Sequence, residues 1–329
     1  MGGGRRILVT GGAGFIGSNL VEALLARGDA VTVLDDFSTG RRENLAPFVG
    51  DPRFRLIEGD IRDVSCCRAA VAGMDCVLHE AARGSVPRSI DDPVNATSVN
   101  VGGFVNVLYA AHEAKVRRVV YASSSSVYGD SPALPKVESE CGKALSPYAA
   151  TKQADELFAE NFRRVYGVET VGLRYFNVFG RRQDPRGGYA AVIPKFAAAL
   201  LRHERPAIYG DGTQSRDFTH VDNVVDANLL ALDAPLPEGA SAVCNVACGN
   251  QLTLNELFAV LREELAAFDP AVRAIEPEYA PARRGDVPRS LASIDRAREL
   301  LGYAPRVGVR EGLKLTAKWY FENLSAPAR

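Results

Sequence analysis

Between Thr10 and Gly17 the chain reads Thr-Gly-Gly-Ala-Gly-Phe-Ile-Gly, set between a short apolar run, Arg6-Ile-Leu-Val-Thr10, and an amphipathic stretch from Phe15 to Arg27. This restricts the fold more than any other feature. Gly11, Gly14 and Gly17 form G-x-x-G-x-x-G, while Gly12, Gly14 and Gly17 also satisfy G-x-G-x-x-G. Under either pattern one glycine makes the tight turn, one lets backbone N–H groups approach a pyrophosphate, and one lets a helix pack close to a strand. A Cβ at these places would occupy the space of the phosphate or the strand.

The rest of the first half repeats the strand-then-helix pattern. Ala30–Leu34, Phe54–Ile57, Cys76–His79, Arg118–Ala122 and Thr170–Arg174 read as strands. Val101–Ala114 and Pro147–Tyr166 read as helices between them. Near-continuous apolar strands alternating with helices predict a parallel sheet covered on both faces, an α/β fold of the Rossmann-type, doubly wound kind. The pattern changes after Asn177, and a smaller α/β C-terminal substrate lobe is expected there. A helix near Val221–Leu232 and a strand near Ala242–Ala247 are expected to return to the sheet. The expected division is therefore 1–176 plus about 217–248 as a dinucleotide domain, with about 177–216 and 249–329 as the lobe.

A dinucleotide needs an acid at the end of the second strand, roughly 20 residues past the turn. Leu34-Asp35-Asp36 supplies it. Asp35 can accept both adenosine ribose hydroxyls, and its charge would repel the extra phosphate of NADP. Arg41 and Arg42 could counter that repulsion, but NAD is the expected cofactor. Phe15 and Ile16 follow the turn into the helix. Asp60-Ile61 after the third strand could reach the adenine, and Ala81-Ala82 after the fourth would let the chain pass the cofactor.

Tyr148-Ala-Ala-Thr-Lys152 places a phenol and an ammonium on one helix face. A lysine held there favours the phenolate, so Tyr148 could act as a base near neutral pH. Ser123-Ser124-Ser125-Ser126 ends an apolar run and offers hydroxyls to a substrate.

Bulk properties narrow the partners. The formal net charge of -1 gives no electrostatic reason to expect nucleic acid or an anionic membrane. No signal-peptide core follows Met1, and no apolar run approaches a membrane span, so a cytoplasmic setting is expected. The six cysteines form no paired CxxC motif, and the four histidines suggest no ligand cluster, so no metal is expected.

Longer segments carry a resemblance. His79-Glu-Ala-Ala-Arg-Gly-Ser-Val-Pro-Arg-Ser89, Leu145-Ser-Pro-Tyr-Ala-Ala-Thr-Lys152 and Arg174-Tyr-Phe-Asn-Val-Phe-Gly-Arg-Arg-Gln-Asp-Pro185 are the more specific. Tyr189-Ala-Ala-Val-Ile-Pro-Lys195 and Gly210-Asp-Gly-Thr-Gln-Ser-Arg-Asp217 extend it. Over nearly its whole length the chain resembles the extended short-chain dehydrogenase/reductase family. Within it the match is to the nucleotide-sugar branch and the bacterial UDP-N-acetylglucosamine 4-epimerases.

The resemblance implies roles. Ser124 and Tyr148 would be the catalytic pair, Ser125 would assist, and Lys152 would bind the nicotinamide ribose. Asn177 would hold the sugar diphosphate, with Val192 and Lys195 along the nucleotide. Arg216 and Arg283 would grip the diphosphate, as forked guanidinium hydrogen bonds allow. Asp286 would contact the uridine ribose. The residue four past Asp286 gates the sugar's C2 substituent in this family. Here it is Ser290, where epimerases restricted to unacetylated hexoses tend to carry tyrosine. A serine leaves room for an N-acetyl group, and Gly84, Ser85 and Ala191 look like walls of the same pocket.

The implied activity is NAD-dependent C4 epimerisation of UDP-N-acetylhexosamines through a 4-ketone. A 4,6-dehydratase or a UDP-glucuronate decarboxylase needs a carboxylate beside the catalytic hydroxyl, and here Ser125 and Ser126 follow Ser124. UDP-N-acetylglucosaminuronate and UDP-glucose remain alternative substrates, the former because Arg88 could pair with a C6 carboxylate. A silent NAD-binding scaffold is disfavoured by the intact Ser124, Tyr148 and Lys152 set. The family also implies a homodimer, built by pairing the helix after Val101 with the helix of Tyr148. Phe104, Val107, Leu108, Leu157 and Phe158 could support that pairing, or face the protein's own sheet.

Overall fold

The computed structural model describes residues 4–185, 191–236, 242–282 and 288–324. Its centre is a seven-stranded sheet with every pairing parallel. The strands are β1 (Arg6–Thr10), β2 (Ala30–Asp35), β3 (Phe54–Glu58), β4 (Cys76–His79), β5 (Arg118–Ser124), β6 (Glu169–Tyr175) and β7 (Ala242–Val246). Their spatial order is β3-β2-β1-β4-β5-β6-β7. The order reverses between β1 and β4, and a cleft opens there at the carboxyl ends of the strands, as such sheets require.

Alternate residues of each inner strand feed different cores. Ile7, Val9, Val31 and Val33 join α1 (Phe15–Arg27) on one face. Leu8, Val77, Val119 and Tyr121 join α2 (Val64–Val71) and α3 (Phe104–Glu113) on the other. Both faces are therefore dry, which is why these strands read as continuous apolar runs. A third core lies in the C-terminal lobe, where α5 (Val192–Leu201), α7 (Leu254–Ala266) and α8 (Val309–Leu324) pack around Phe196, Leu257, Leu261 and Leu313. Helix α6 (Val221–Asp233) returns to pack on α1, and β7 extends the sheet beside β6.

One sequence expectation needs correction, and one alternative left open is decided. The helix expected from Val101 begins instead as a π-helical stretch, Ser98–Gly103, before α3. Phe104, Val107 and Leu108 are fully buried against the protein's own sheet, so they are unavailable to a second chain. Leu157 and Phe158, on α4 (Pro147–Tyr166), do face outward. Among the described residues, no helix is long and apolar enough to cross a membrane.

Candidate active site

The glycine turn is built from close approaches. Gly11 has φ +69°, and a Cβ there would lie 2.7 Å from the Ala81 nitrogen. A Cβ on Gly17 would lie 2.2 Å from the Gly11 carbonyl oxygen, closing the helix onto the turn. Gly14 differs: the nearest atom to a Cβ would be that same oxygen, at 3.1 Å, with nothing else close. Its open side faces the cleft, which it lines. Helix α1 starts at Gly14 with no side-chain cap and no acid in its first turn. Its unpaired N–H groups and positive dipole end are thus left for an anion.

Asp35 sits at the end of β2. Its Oδ2 accepts the Ala13 N–H at 2.9 Å and its Oδ1 accepts the Phe37 N–H at 2.8 Å. Each oxygen keeps a second lone pair for a ribose hydroxyl. Burial raises its pKa, against the two backbone donors. Arg41 is paired with Asp184, and Arg42 with Glu58 at 2.7 Å. Both arginines that would have welcomed a 2′-phosphate already have carboxylate partners.

The cleft encloses about 510 Å³. Gly11, Gly14, Phe15, Ile16 and Gly17 line it with Asp35, Asp36, Asp60 and Ile61. Ala81, Ala82, Gly84 and Ser85 form another wall, and Ser124, Tyr148, Lys152 and Asn177 complete its far end. The uncapped helix and the open Gly14 fit the pyrophosphate of NAD, and the partnered but unsaturated Asp35 fits its adenosine ribose.

At the far end stands α4, with Tyr148 and Lys152. Ser146 caps it through the Ala149 N–H at 3.1 Å, and Pro147 begins it. Tyr148 therefore stands in the first turn of the helix. Its N–H is held by Ser89 Oγ at 2.9 Å. Lys152 is 1 % exposed, and its Nζ donates to the Ala122 carbonyl at 2.9 Å and to Asp155 at 3.0 Å. Burial opposes its charge, but Asp155, Tyr148 and Glu80 outweigh this and leave the ammonium above its ordinary value. Asp155 is pushed up to about 6 by the same burial, against the pull of Lys152. Ser124 Oγ accepts the Ser126 N–H at 3.1 Å, which leaves its own proton to donate. Ser125 begins the following 3-10 turn and does not line the cleft.

The nucleotide-side candidates lie beyond the cleft lining, in the C-terminal lobe. Ala191, Val192 and Lys195 start α5. Arg216 lies on a short strand, Ser215–Arg216, and the Ser290 N–H donates to the Ser215 carbonyl at 3.1 Å. Asn177 Nδ2 reaches the Asp217 carbonyl at 2.9 Å, linking the cleft to that strand. The Asp217 carboxylate accepts from the N–H groups of Cys248, Gly249 and Ala292 at 3.0, 3.1 and 3.3 Å, tying three segments together. Arg283 and Asp286 lie outside the described residues.

Several supporting groups escaped the sequence reading. Asn100, on the π-helical stretch, accepts the Arg83 N–H at 2.7 Å and donates to Thr151 at 3.0 Å. Thr151 in turn donates to the Tyr148 carbonyl at 2.8 Å. Glu156 braces α4 through Arg174 at 2.8 Å and Ser123 at 2.6 Å. The spacing of Asp155, three residues past Lys152, was a usable signal; Asn100 offered none.

Known proteins align with this arrangement over almost the whole chain. A UDP-glucose 4-epimerase of Mycolicibacterium smegmatis is 41% identical over 322 residues, covering 97% of this chain and 99% of that protein. A UDP-N-acetylglucosamine 4-epimerase from Methanobrevibacter ruminantium M1, solved in complex with UDP-N-acetylmuramic acid, superimposes with a TM-score of 0.90 at 38% identity, covering 97% of this chain and 99% of that one. The UDP-glucose 4-epimerase of Thermus thermophilus, solved with NAD, gives a TM-score of 0.84 at 36% identity over 97% and 99% of the two chains. Residues 7–247 match the family model described as "NAD dependent epimerase/dehydratase family", and with the cleft above this places the chain in that family.

Proposed function

We propose that the chain is a nucleotide-sugar 4-epimerase that interconverts UDP-N-acetylglucosamine and UDP-N-acetylgalactosamine. The observation that carries the reading is the convergence of Ser124, Tyr148 and buried Lys152 at one end of the NAD cleft. The C4–H bond of a hexose is not acidic, so inversion needs a transient 4-ketone. Bound in the cleft lined by Gly14, Asp35 and Lys152, NAD would supply reversible hydride acceptance at C4. Tyr148 takes the 4-hydroxyl proton and gives it back. Ser124 hydrogen-bonds the reacting oxygen, and Lys152, electrostatically coupled to Tyr148, holds the cofactor ribose. Orientation and proton management are the protein's share.

Residues 1–176 with about 217–248 hold NAD in this reading, and about 177–216 with 249–329 take the UDP-sugar. Arg216, with Arg283 from the other segment, clamps the diphosphate, Asp286 meets the uridine ribose, and Val192 and Lys195 lie along the nucleotide. The small side chain of Ser290 supports an acetylated substrate. A UDP-hexuronate is the second reading, favoured by Arg88, which lines the cleft. Assays of UDP-GlcNAc, UDP-Glc and their uronic acids in parallel by NMR decide between them. UDP-Glc turning over far faster than UDP-GlcNAc would defeat the Ser290 argument. A homodimer is proposed through the outward face of α4 and its neighbour, where Leu157, Phe158, Val165, Tyr166 and Tyr109 are exposed.

A further inference from the structure

A carboxyl group forms part of the cleft floor, and the roles assigned so far do not use it. Glu80 follows β4, and its N–H donates to the Thr10 carbonyl at 3.1 Å, at the point where the strand order reverses. Its Oε1 accepts, at 2.8 Å, the hydroxyl of Tyr175 from β6, two strands away. The same hydroxyl accepts from Asn228 Nδ2, on α6, at 2.8 Å. The Tyr175 proton is therefore committed to Glu80, and the carboxyl is held in place from two further elements.

The place matters. Ala122, Ser124, Tyr148, Lys152 and Tyr175 line the cleft together with Glu80. Lys152 donates to the Ala122 carbonyl on β5, the strand between those of Glu80 and Tyr175. The carboxyl thus belongs to the end where the proton-transfer groups are gathered, where the nicotinamide half of the cofactor must lie for them to act. Lys152 acts on it electrostatically, but that ammonium is hydrogen-bonded to Asp155 and its charge is shared between the two carboxyls.

We propose that Glu80 is the counter-charge to the oxidised nicotinamide, favouring NAD⁺ over NADH in the resting enzyme. The inference rests on the nicotinamide lying at the Ser124–Tyr148 end. Burial pushes the Glu80 carboxyl up to about 8, against the Tyr175 hydrogen bond and the Lys152 charge. Glu80 gives up its proton to solvent through the cleft when a cation lies against it, and regains it when that charge is gone. The charge differs between the two forms of the ring, so the carboxylate stabilises one selectively. The consequence is functional. An epimerase must return every hydride, and a site that disfavours the reduced form drives the return step.

The test equilibrates the holoenzyme with a redox dye couple at pH 8 and reads bound NADH by its absorbance band. Glu80→Gln keeps the shape and still accepts from Tyr175, but carries no charge. The expected result is a bound NADH/NAD⁺ ratio about tenfold higher than wild type at the same poise, or about 30 mV for a two-electron couple. Tyr175→Phe, which loosens the carboxyl without removing it, should shift the ratio in the same direction by less. An unchanged or lowered ratio in Glu80→Gln overturns the proposal, as does equal loss of both cofactor forms. Tyr148→Phe run alongside separates the two readings. If it abolishes turnover while Glu80→Gln leaves the ratio unchanged, only this inference falls; if it leaves turnover intact, the proton-transfer assignment falls first.

Discussion

The two ends of the cleft are made of different materials. At the glycine-turn end the contacts are backbone: Gly11 against Ala81, Gly17 against Gly11, and the bare start of α1. Asp35, at the end of β2, is anchored by two backbone N–H groups. At the other end the walls are buried ionisable side chains, with Lys152 and Asp155 each 1 % exposed and Glu80 pushed up to about 8 by burial. Recognition of a constant ligand can be built into backbone geometry, where any Cβ is an error. Proton transfer needs groups whose protonation is poised, and poise comes from burial and neighbouring charge.

Substitutions should therefore fail differently at the two ends. The largest effect is expected for Tyr148→Phe, with kcat lower by about 10³-fold, the scale of lost general acid–base catalysis. NAD content of the purified protein should be unchanged, and a parallel fall in both would break the contrast. Gly11→Ala should do the reverse. It meets positive φ and the Ala81 nitrogen at once, at a cost of about 1–3 kcal/mol in strain. Co-purified NAD should fall sharply and thermal stability with it. Asp35→Asn should weaken NAD binding by roughly tenfold, as expected for hydrogen bonds to a charged acceptor, and narrow the preference against NADP. Isothermal titration with both cofactors reads this.

The pH dependence of stability sharpens the comparison further. Glu80 and Asp217 are raised by burial to about 8 and about 7, whereas unfolded carboxyls titrate near about 4. The folded chain thus holds extra protons from about pH 4 up to those values. Their stabilising contribution is full below that window and is lost as pH rises through it. Melting temperatures of protein stripped of NAD should decline between pH 5 and 9. Glu80→Gln should flatten the upper part of the decline and Asp217→Asn the middle. A rise across the whole range would contradict both assignments.

Much of this was legible beforehand because it is local. Gly11, Gly14 and Gly17 announce a turn by spacing alone, and Tyr148 and Lys152 share a helix face by period alone. The apolar face of α3 was ambiguous for the same reason. Phe104, Val107 and Leu108 look the same whether they meet a sheet or a second chain, and only packing assigns them inward. Arg41 and Arg42 offered no clue to their partners, because Asp184 and Glu58 arrive from distant segments.

The amino-acid order by itself determined the doubly wound sheet, the dinucleotide turn with its acid, and the serine, tyrosine and lysine of the far end. Each is written in short-range spacing, and backbone geometry translates spacing directly into position. Tertiary structure alone decided the surroundings that give those groups their chemistry. Glu80 meets Tyr175 across 95 residues, and Asp217 holds Ala292 across 75. Burial and charge add up over all neighbours in space, and a linear pattern does not record who those neighbours are.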